Sequence, residues 1–181
     1  MGFTIPNRYY MLFSMIVYLA TDHTGLEIKN KAKQFLTEQG YQVEDCGAYE
    51  FDKNDDYPDF ISKAAVQVSR NPENKGIIFG GSGQGEAMTA NKFKRVRAAV
   101  FYGPVIPTKA ADITGRQSTD PYEMLRLTRE HNSANILSIG IRFLTDEEIL
   151  KVIKLWLDAP FTNEEHHLRR VQKISKIEEN Q

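Results

Sequence analysis

The sequence predicts an α/β protein with a three-layer, Rossmann-like, doubly wound sheet of five parallel strands and a helical tail at the C-terminus. Three observations carry this prediction. Short apolar segments alternate with segments of helical periodicity, the segment 76–79 is apolar throughout, and a glycine-rich loop follows it. Strands that alternate with helices form parallel sheets covered on both faces, and strands inside such sheets lack polar positions.

The elements are predicted in a regular order. Strands are expected at 16–20, 41–46, 76–79, 96–101 and 134–139, and helices at 26–39, 59–70, from 86 onward, 121–131, 146–157 and 166–179. Gly40 ends the first helix, since glycine is the usual residue just past a helix C-terminus. Thr145 and Glu148 form a capping box at the start of the helix that they precede. Ligands of such folds bind at the carboxyl ends of the strands.

The first residues contain an apolar stretch, 11–20, that is too short to span a bilayer. Polar residues follow it where a signal peptide would have a small-residue cleavage site. We therefore interpret 16–20 as a strand and residues 1–14 as an N-terminal extension. Residues 15–181 are expected to form a single domain.

Charge and cysteine content restrict the function. The 181 residues carry 23 Lys+Arg and 24 Asp+Glu, for a net charge of −1. Such a balance predicts no nucleic-acid partner and no membrane partner, so any anion site must be a local cluster. The single cysteine, Cys46, excludes an internal disulfide and fits a reducing cytoplasm. No set of His, Cys, Asp and Glu residues has the spacing of a metal site, so no metal is expected.

The loop Gly80-Gly81-Ser82-Gly83-Gln84-Gly85 is the clearest local signal for a site. Glycines let successive backbone N–H groups converge on an anion at the start of a helix, although a tight turn also uses glycine. The spacing fits neither a dinucleotide fingerprint nor a nucleoside triphosphate loop, so a smaller anion is expected. Glu86 follows the loop directly; it is either a proton acceptor or a first-turn glutamate favoured by the helix dipole.

Histidines and arginines cluster at three further places in the chain: 21–25 after the first strand, 131–142 around the fifth strand, and 166–170 at the start of the tail. Each histidine alone is more often a surface residue than a catalytic one, but the basic residues together suffice to bind one phosphate. The tail also carries an apolar stripe, Leu168, Val171, Ile174 and Ile177, that must cover its own domain or a second subunit.

Eight short motifs follow one another in a recognisable order. They are Asp22-His23-Thr24-Gly25, Asp56-Tyr57-Pro58-Asp59, the glycine loop with Glu86, Ala90-Asn91-Lys92, Arg97-Ala98-Ala99, Arg129-Glu130-His131-Asn132, Gly140-Ile141-Arg142 and His167-Leu168-Arg169-Arg170-Val171. Over residues 15–174 they resemble ribose-5-phosphate isomerase type B, of the family that includes galactose-6-phosphate isomerase subunits. The resemblance implies a homodimer, with a tetramer as the alternative, that interconverts an aldose phosphate and a ketose phosphate without metal or other cofactor.

The resemblance also implies residue roles. A base removes the proton at C2, and the resulting enediolate is reprotonated at C1. Members of the family use either a cysteine that opens the glycine loop or a glutamate just after it; Gly80 stands at the cysteine position here, so Glu86 is the expected base. Ser82 and the loop amides, including those of Gly81, Gly83 and Gly85, would hold the enediolate oxygen, and His131 would assist ring opening. The resemblance assigns sugar contacts to Asp22 and Asn132, and phosphate contacts to His23, Arg142, His167 and Arg170, some of them supplied by the partner subunit.

The sequence departs from the family pattern at two places. His166 stands where an arginine is common, which makes one phosphate contact weaker or pH-dependent. Arg97 and Arg129 lie 32 positions apart, farther than the corresponding elements lie in the family, so 103–120 is predicted to be an insertion near the active-site rim. Residues 164–181 are predicted to form a tail that reaches the dimer partner. Ribose 5-phosphate is the expected substrate. Allose or galactose 6-phosphate, or non-catalytic binding of a sugar phosphate, are the alternatives; Glu86 argues against the last because binding needs no base.

Overall fold

Five parallel strands form one sheet at the centre of the structure, a computed structural model that describes residues 15–179. The strands are β1 (Ile16–Ala20), β2 (Gln42–Asp45), β3 (Lys75–Gly80), β4 (Ala98–Phe101) and β5 (Ile136–Gly140), in the spatial order β2-β1-β3-β5-β4. All neighbouring pairs are parallel, as predicted. The extension predicted at 1–14 lies outside the described residues.

Helices cover both faces of this sheet. They are α1 (Leu26–Glu38), α2 (Tyr57–Arg70), α3 (Gln84–Ala90), α4 (Glu123–Glu130), α5 (Asp146–Asp158) and α6 (Glu165–Glu179). Side chains of a strand alternate between the faces, so Val17 and Leu19 of β1 pack with α1, α4 and α5, whereas Tyr18 and Ala20 pack with α2 and α3. The three-layer, doubly wound architecture is therefore confirmed, with α6 as the C-terminal tail.

The predicted elements all form, and their ends differ from the prediction by at most two residues. The capping box is present: the Thr145 backbone N–H donates to Glu148 Oε2 over 2.8 Å, and the Glu148 N–H donates to Thr145 Oγ1 over 3.3 Å. Helix α3 begins at Gln84, two residues earlier than expected, because Gly83 adopts a left-handed conformation (φ +73°) that ends the loop there. Glu86 consequently lies within the first turn of α3 and not at its first residue.

The direction in which the chain adds successive strands to the sheet reverses between β1 and β3. Strand β2 lies on one side of β1 and β3 on the other, so the loops after β1 and β3 diverge and leave a crevice at their carboxyl ends. Thr21 Oγ1 donates to the Phe79 carbonyl oxygen over 3.0 Å and joins the two strand ends. Gly25 is required beside this contact, since a Cβ at Gly25 would lie 2.3 Å from Thr21 Oγ1.

Residues 103–120 contain neither helix nor strand and pack on α4 through ion pairs. The Val105 N–H donates to the Pro121 carbonyl over 2.8 Å, and Arg116 lies 2.7 Å from Glu123 Oε1 and 2.8 Å from Asp112 Oδ2. Glu123 is buried, so its carboxylate depends on this cation. Within 15–179, no helix combines the length and apolarity needed to cross a membrane.

Candidate active site

Glu86 lies at the carboxyl end of β3 with its side chain buried, since only 6% of the residue is exposed. Its carboxylate occupies the space beside Gly80, where an added Cβ would lie 1.9 Å from Glu86 Oε1 and 2.0 Å from Cδ. Any other residue at 80 would displace the carboxylate. The Glu86 carboxylate can therefore occupy this position only because residue 80 is a glycine.

The pKa of Glu86 is raised above its ordinary value, chiefly because burial disfavours the charged form. The negative charge of Asp22 raises the pKa further, whereas a backbone hydrogen bond and the positive charge of Arg142 lower it. Of these opposing effects, desolvation is the largest. A carboxylate with a raised pKa is a better proton acceptor at neutral pH.

The glycine loop packs closely against the end of β5. Ser138 Oγ, buried in that strand, donates to the Gly83 carbonyl over 2.5 Å, and a Cβ at Gly140 would lie 2.7 Å from the Ser82 carbonyl oxygen. Ser82 Oγ accepts a hydrogen bond from the Gln84 N–H over 3.4 Å. Sequence reasoning missed Ser138; the available signal was one polar residue inside an otherwise apolar strand.

Asp22 and His23 lie directly after β1, at the same edge of the sheet. Asp22 is largely buried and its Oδ1 accepts from the Thr24 N–H over 2.9 Å. His23 Nδ1 lies 2.5 Å from Oδ1 of Asp55, a residue of the loop between β2 and α2. This contact raises the pKa of His23, with smaller contributions from neighbouring carboxylates, whereas burial opposes the rise. Sequence reasoning did not assign Asp55 to the site.

Arg142 brings a positive charge to this edge. Its backbone N–H donates to the Gly81 carbonyl over 3.2 Å, and a Cβ at Gly81 would lie 2.9 Å from the guanidinium carbon. Gly85 faces a different neighbour, because a Cβ there would lie 2.6 Å from the Tyr57 hydroxyl oxygen. The structure thus brings together a carboxyl-edge group that comprises Asp22, His23, Gly81, Ser82, Gly83, Gly85, Glu86 and Arg142.

The remaining predicted residues lie toward the amino ends of the strands and form an amino-edge group that comprises His131, Asn132, His167 and Arg170. The rings of His131 and His167 stack with their centroids 4.1 Å apart, and the ring of His166 lies 3.9 Å from that of His167. His167 is buried, with 3% exposed, and its Nδ1 lies 2.8 Å from Thr162 Oγ1. The Thr162 hydroxyl donates to the Glu130 carbonyl, so we assign the proton of the His167–Thr162 bond to Nδ1. Burial lowers the pKa of His167, and the nearby imidazoles and Arg170 lower it further.

Strand β5 separates the two groups. His131 and Asn132 precede β5, whereas Arg142 follows it and Gly80 pairs with Gly140 at its carboxyl end. Four strand steps of about 3.3 Å place the two edges about 13 Å apart. The expected site residues therefore do not converge within one copy of the chain.

Two sets of potential metal ligands come together among the described residues, although the sequence spacing predicted none. They are Asp22, His23 and Asp55, and Glu164, His166 and His167, each with ligand atoms within 4.8 Å of one another. One imidazole nitrogen in each set is already hydrogen-bonded, His23 Nδ1 with Asp55 and His167 Nδ1 with Thr162. We therefore assign neither set to a metal.

Comparison with known proteins identifies close relatives. Ribose-5-phosphate isomerase B of Mycolicibacterium paratuberculosis is 34% identical over 164 residues, which cover 91% of this chain and 92% of the relative. The crystal structure of ribose-5-phosphate isomerase B from Mycoplasma genitalium with bound ribulose-5-phosphate superposes with a TM-score of 0.80 at 34% identity, covering 93% of this chain and 99% of that one. The enzyme from Clostridium thermocellum has a TM-score of 0.77 at 34% identity, covering 92% and 99%.

The family described as Ribose/Galactose Isomerase matches residues 17–113 and 104–174. These ranges include every residue of the carboxyl-edge and amino-edge groups. The resemblance inferred from the eight motifs is confirmed, and with it the assignment of the chain as an isomerase. The chain belongs to the ribose/galactose isomerase family.

Proposed function

We propose that this chain interconverts ribose 5-phosphate and ribulose 5-phosphate through an enediolate, with Glu86 as the general base. The observation that carries the proposal is the buried Glu86 carboxylate, which fills the space left free by Gly80 and lies beside the glycine loop and Arg142. The relative from Mycoplasma genitalium, whose structure contains ribulose-5-phosphate, supports this choice of substrate.

In the proposed reaction, Glu86 accepts the proton from C2 of the open-chain aldose phosphate. The electron pair of the broken C–H bond forms the enediolate, and the negative charge develops on the oxygen at C1. Ser82 and the amides of the glycine loop stabilise this oxygen, as fixed donors do in other oxyanion sites. The proton of the C2 hydroxyl then passes to the C1 oxygen while Glu86 returns its proton to C1, which gives the ketose without consuming another reactant.

The other residues of the carboxyl-edge group bind the substrate in this proposal. His23 and Arg142 provide positive charge for the phosphate, and the pKa of His23 is raised, which favours its cationic form. Asp22 accepts hydrogen bonds from sugar hydroxyls. A charged hydrogen bond of this kind contributes about 1.5–3 kcal/mol to binding.

We further propose that the active unit is a homodimer in which the amino-edge group of one subunit completes the carboxyl-edge group of the other. Two observations support this. The two groups lie at opposite ends of β5, a strand about 13 Å long, in one copy. In addition, Leu168, Ile174 and Ile177 of α6 remain 37%, 40% and 61% exposed, so the apolar stripe of the tail is only partly covered by its own domain. His131 and Asn132 would then reach the sugar of the neighbouring site.

Mixed dimers test the shared site. Glu86→Gln and His131→Ala each remove one half, so each protein alone should be nearly inactive. Mixing them under conditions that exchange subunits should restore about a quarter of the wild-type activity, because half of random dimers are hybrids with one intact site of two. A mixture that stays as inactive as its parents would contradict the shared site.

Substrate preference requires a direct comparison of kcat/KM for ribose 5-phosphate, allose 6-phosphate and galactose 6-phosphate. We expect ribose 5-phosphate to be preferred, with Glu86→Gln purified in parallel as the control for contaminating host isomerase. Preference for a six-carbon substrate would replace the pentose assignment. Binding of ribose 5-phosphate with no turnover of any sugar would make the chain a non-catalytic binder.

The cytoplasm, where Cys46 stays reduced, is the proposed location.

A further inference from the structure

Asp55 has an unusual hydrogen-bonding environment. Its side chain is only 10% exposed, and its Oδ1 accepts two hydrogen bonds from one residue: His23 Nδ1 at 2.5 Å and the His23 backbone N–H at 3.1 Å. The other oxygen, Oδ2, is buried and has no hydrogen-bond partner in the part of the chain that the structure describes. A buried carboxylate usually has several donors or an Arg or Lys partner. Among residues 15–179, His23 is the cationic partner of Asp55.

Carboxylates lie close to the His23 ring. Those of Asp22 and Asp55 come within 4.8 Å of a ring nitrogen, the exposed Asp52 acts on the ring through its charge, and Phe51 packs edge-on against it with the centroids 5.7 Å apart. Because Nδ1 is held by Asp55, the second ring nitrogen, Nε2, points away from that carboxylate. The neutral ring with its proton on Nδ1 would offer Nε2 only as an acceptor, which repels a phosphate. The protonated ring offers an Nε2–H donor.

We propose that Asp55 is a positioning residue: its carboxylate orients the His23 ring and keeps it protonated, so that Nε2–H faces the substrate phosphate. The inference rests on the proposed function for the identity of that ligand. Asp55 itself does not touch the substrate. It acts through the 2.5 Å contact, in the way that a carboxylate orients an imidazole and stabilises its cation elsewhere.

Charge and orientation can be separated by two substitutions. Asp55→Asn keeps an oxygen that accepts from Nδ1 but removes the negative charge, whereas Asp55→Ala removes both. In Asp55→Asn, KM for ribose 5-phosphate should rise about tenfold at about pH 8 and return toward the wild-type value near pH 5.5, where His23 is protonated without help. In Asp55→Ala, KM should stay raised at both pH values. In both variants kcat should change by less than about threefold, because Asp55 does not act on the C2 proton.

The matched control is Asp52→Asn in the same loop, because Asp52 is exposed and makes no hydrogen bond to His23. Its KM should stay within about twofold of the wild type. The protonation of His23 is followed directly by NMR of the ring C–H signals, assigned by their loss in His23→Gln. We expect the His23 pKa to lie above about 6.5 in the wild type and to fall in Asp55→Asn.

An Asp55→Asn protein whose KM shows the wild-type pH dependence would overturn the proposal. A wild-type His23 that titrates at or below about 6.5 would overturn it as well, and this measurement needs no variant that folds poorly. Failure of the proposed function would look different: no turnover of ribose 5-phosphate by the wild type. The NMR titration, together with binding of inorganic phosphate at about pH 6 and pH 8, would then still decide the role of Asp55.

Discussion

Gly80→Ala is the most direct test of how the chain positions its base. The added Cβ would lie 2.0 Å from Glu86 Cδ, whereas ordinary contacts begin near 3.4 Å, so the carboxylate must move by about 1.4 Å. Displacement of a reacting group by about 1 Å costs about 10²-fold in rate. We therefore expect kcat to fall about 10²-fold, equivalent to about 2.7 kcal/mol of transition-state stabilisation.

The assay is steady-state turnover of ribose 5-phosphate, with circular dichroism and thermal unfolding to establish that the fold persists. Gly103→Ala is the matched control, since nothing lies within 4 Å of a Cβ at that glycine, and it should leave kcat unchanged. The substitution should act only through the carboxylate. Gly80→Ala added to Glu86→Ala should therefore cause no further loss, because the clash is already removed.

Two outcomes would refute this reasoning. A Gly80→Ala protein with kcat within about threefold of the wild type would mean that the position of the carboxylate in the structure does not determine the reaction rate. A further large loss when Gly80→Ala is added to Glu86→Ala would mean that the methyl group acts on the backbone of the loop and not on the base.

Four other predictions follow from the structure. Because the pKa of Glu86 is raised above its ordinary value of 4.5, the acid limb of kcat/KM should lie above about pH 4.5. Glu86→Gln should lower kcat about 10²–10⁴-fold, yet it should unfold at a higher temperature at about pH 7, where the wild type has a buried charge. Cys46→Ser should keep full activity, and iodoacetamide should not inactivate the wild type, since burial raises the pKa of Cys46 to about 11. Arg116→Gln deprives the buried Glu123 of its cation and should lower the free energy of unfolding by about 1–3 kcal/mol in denaturant titrations. A larger effect on kcat than on stability would instead place residues 103–120 in the active site. Arg170→Ala should raise KM about tenfold or more with little change in kcat, and an unchanged KM would remove Arg170 from the phosphate site.

Local sequence patterns were sufficient to predict the secondary structure and to single out the glycine loop with Glu86. The alternation of Val17, Tyr18, Leu19 and Ala20 between two cores, the glycine that ends α1 and the capping box at Thr145 all depend on neighbours a few residues away. The glycine loop and Glu86 are likewise contiguous in the chain. Such features can be recognised from spacing alone.

Contacts between distant segments could not be predicted in this way. Asp55 lies 32 positions from His23, and the two meet only because β1 and β2 are neighbours in the sheet. Ser138 reaches Gly83 across 55 positions because β5 lies beside β3 in the order β2-β1-β3-β5-β4. Strand order follows from the packing of whole layers, which no local pattern encodes.

From the amino-acid sequence alone we could propose which residues carry the chemistry: the glycine loop, Glu86, and the histidines and arginines around it. The tertiary structure determines which of these residues lie at the carboxyl ends of the strands and which at the amino ends, and it determines the direction in which the pKa of Glu86 shifts. Parallel strands send residues that precede β5 to one edge and residues that follow β3 to the other, so His131 and Glu86 lie apart in one copy. Likewise, the direction of the Glu86 pKa shift depends on desolvation, and a side chain loses its water only when the layers have closed around it.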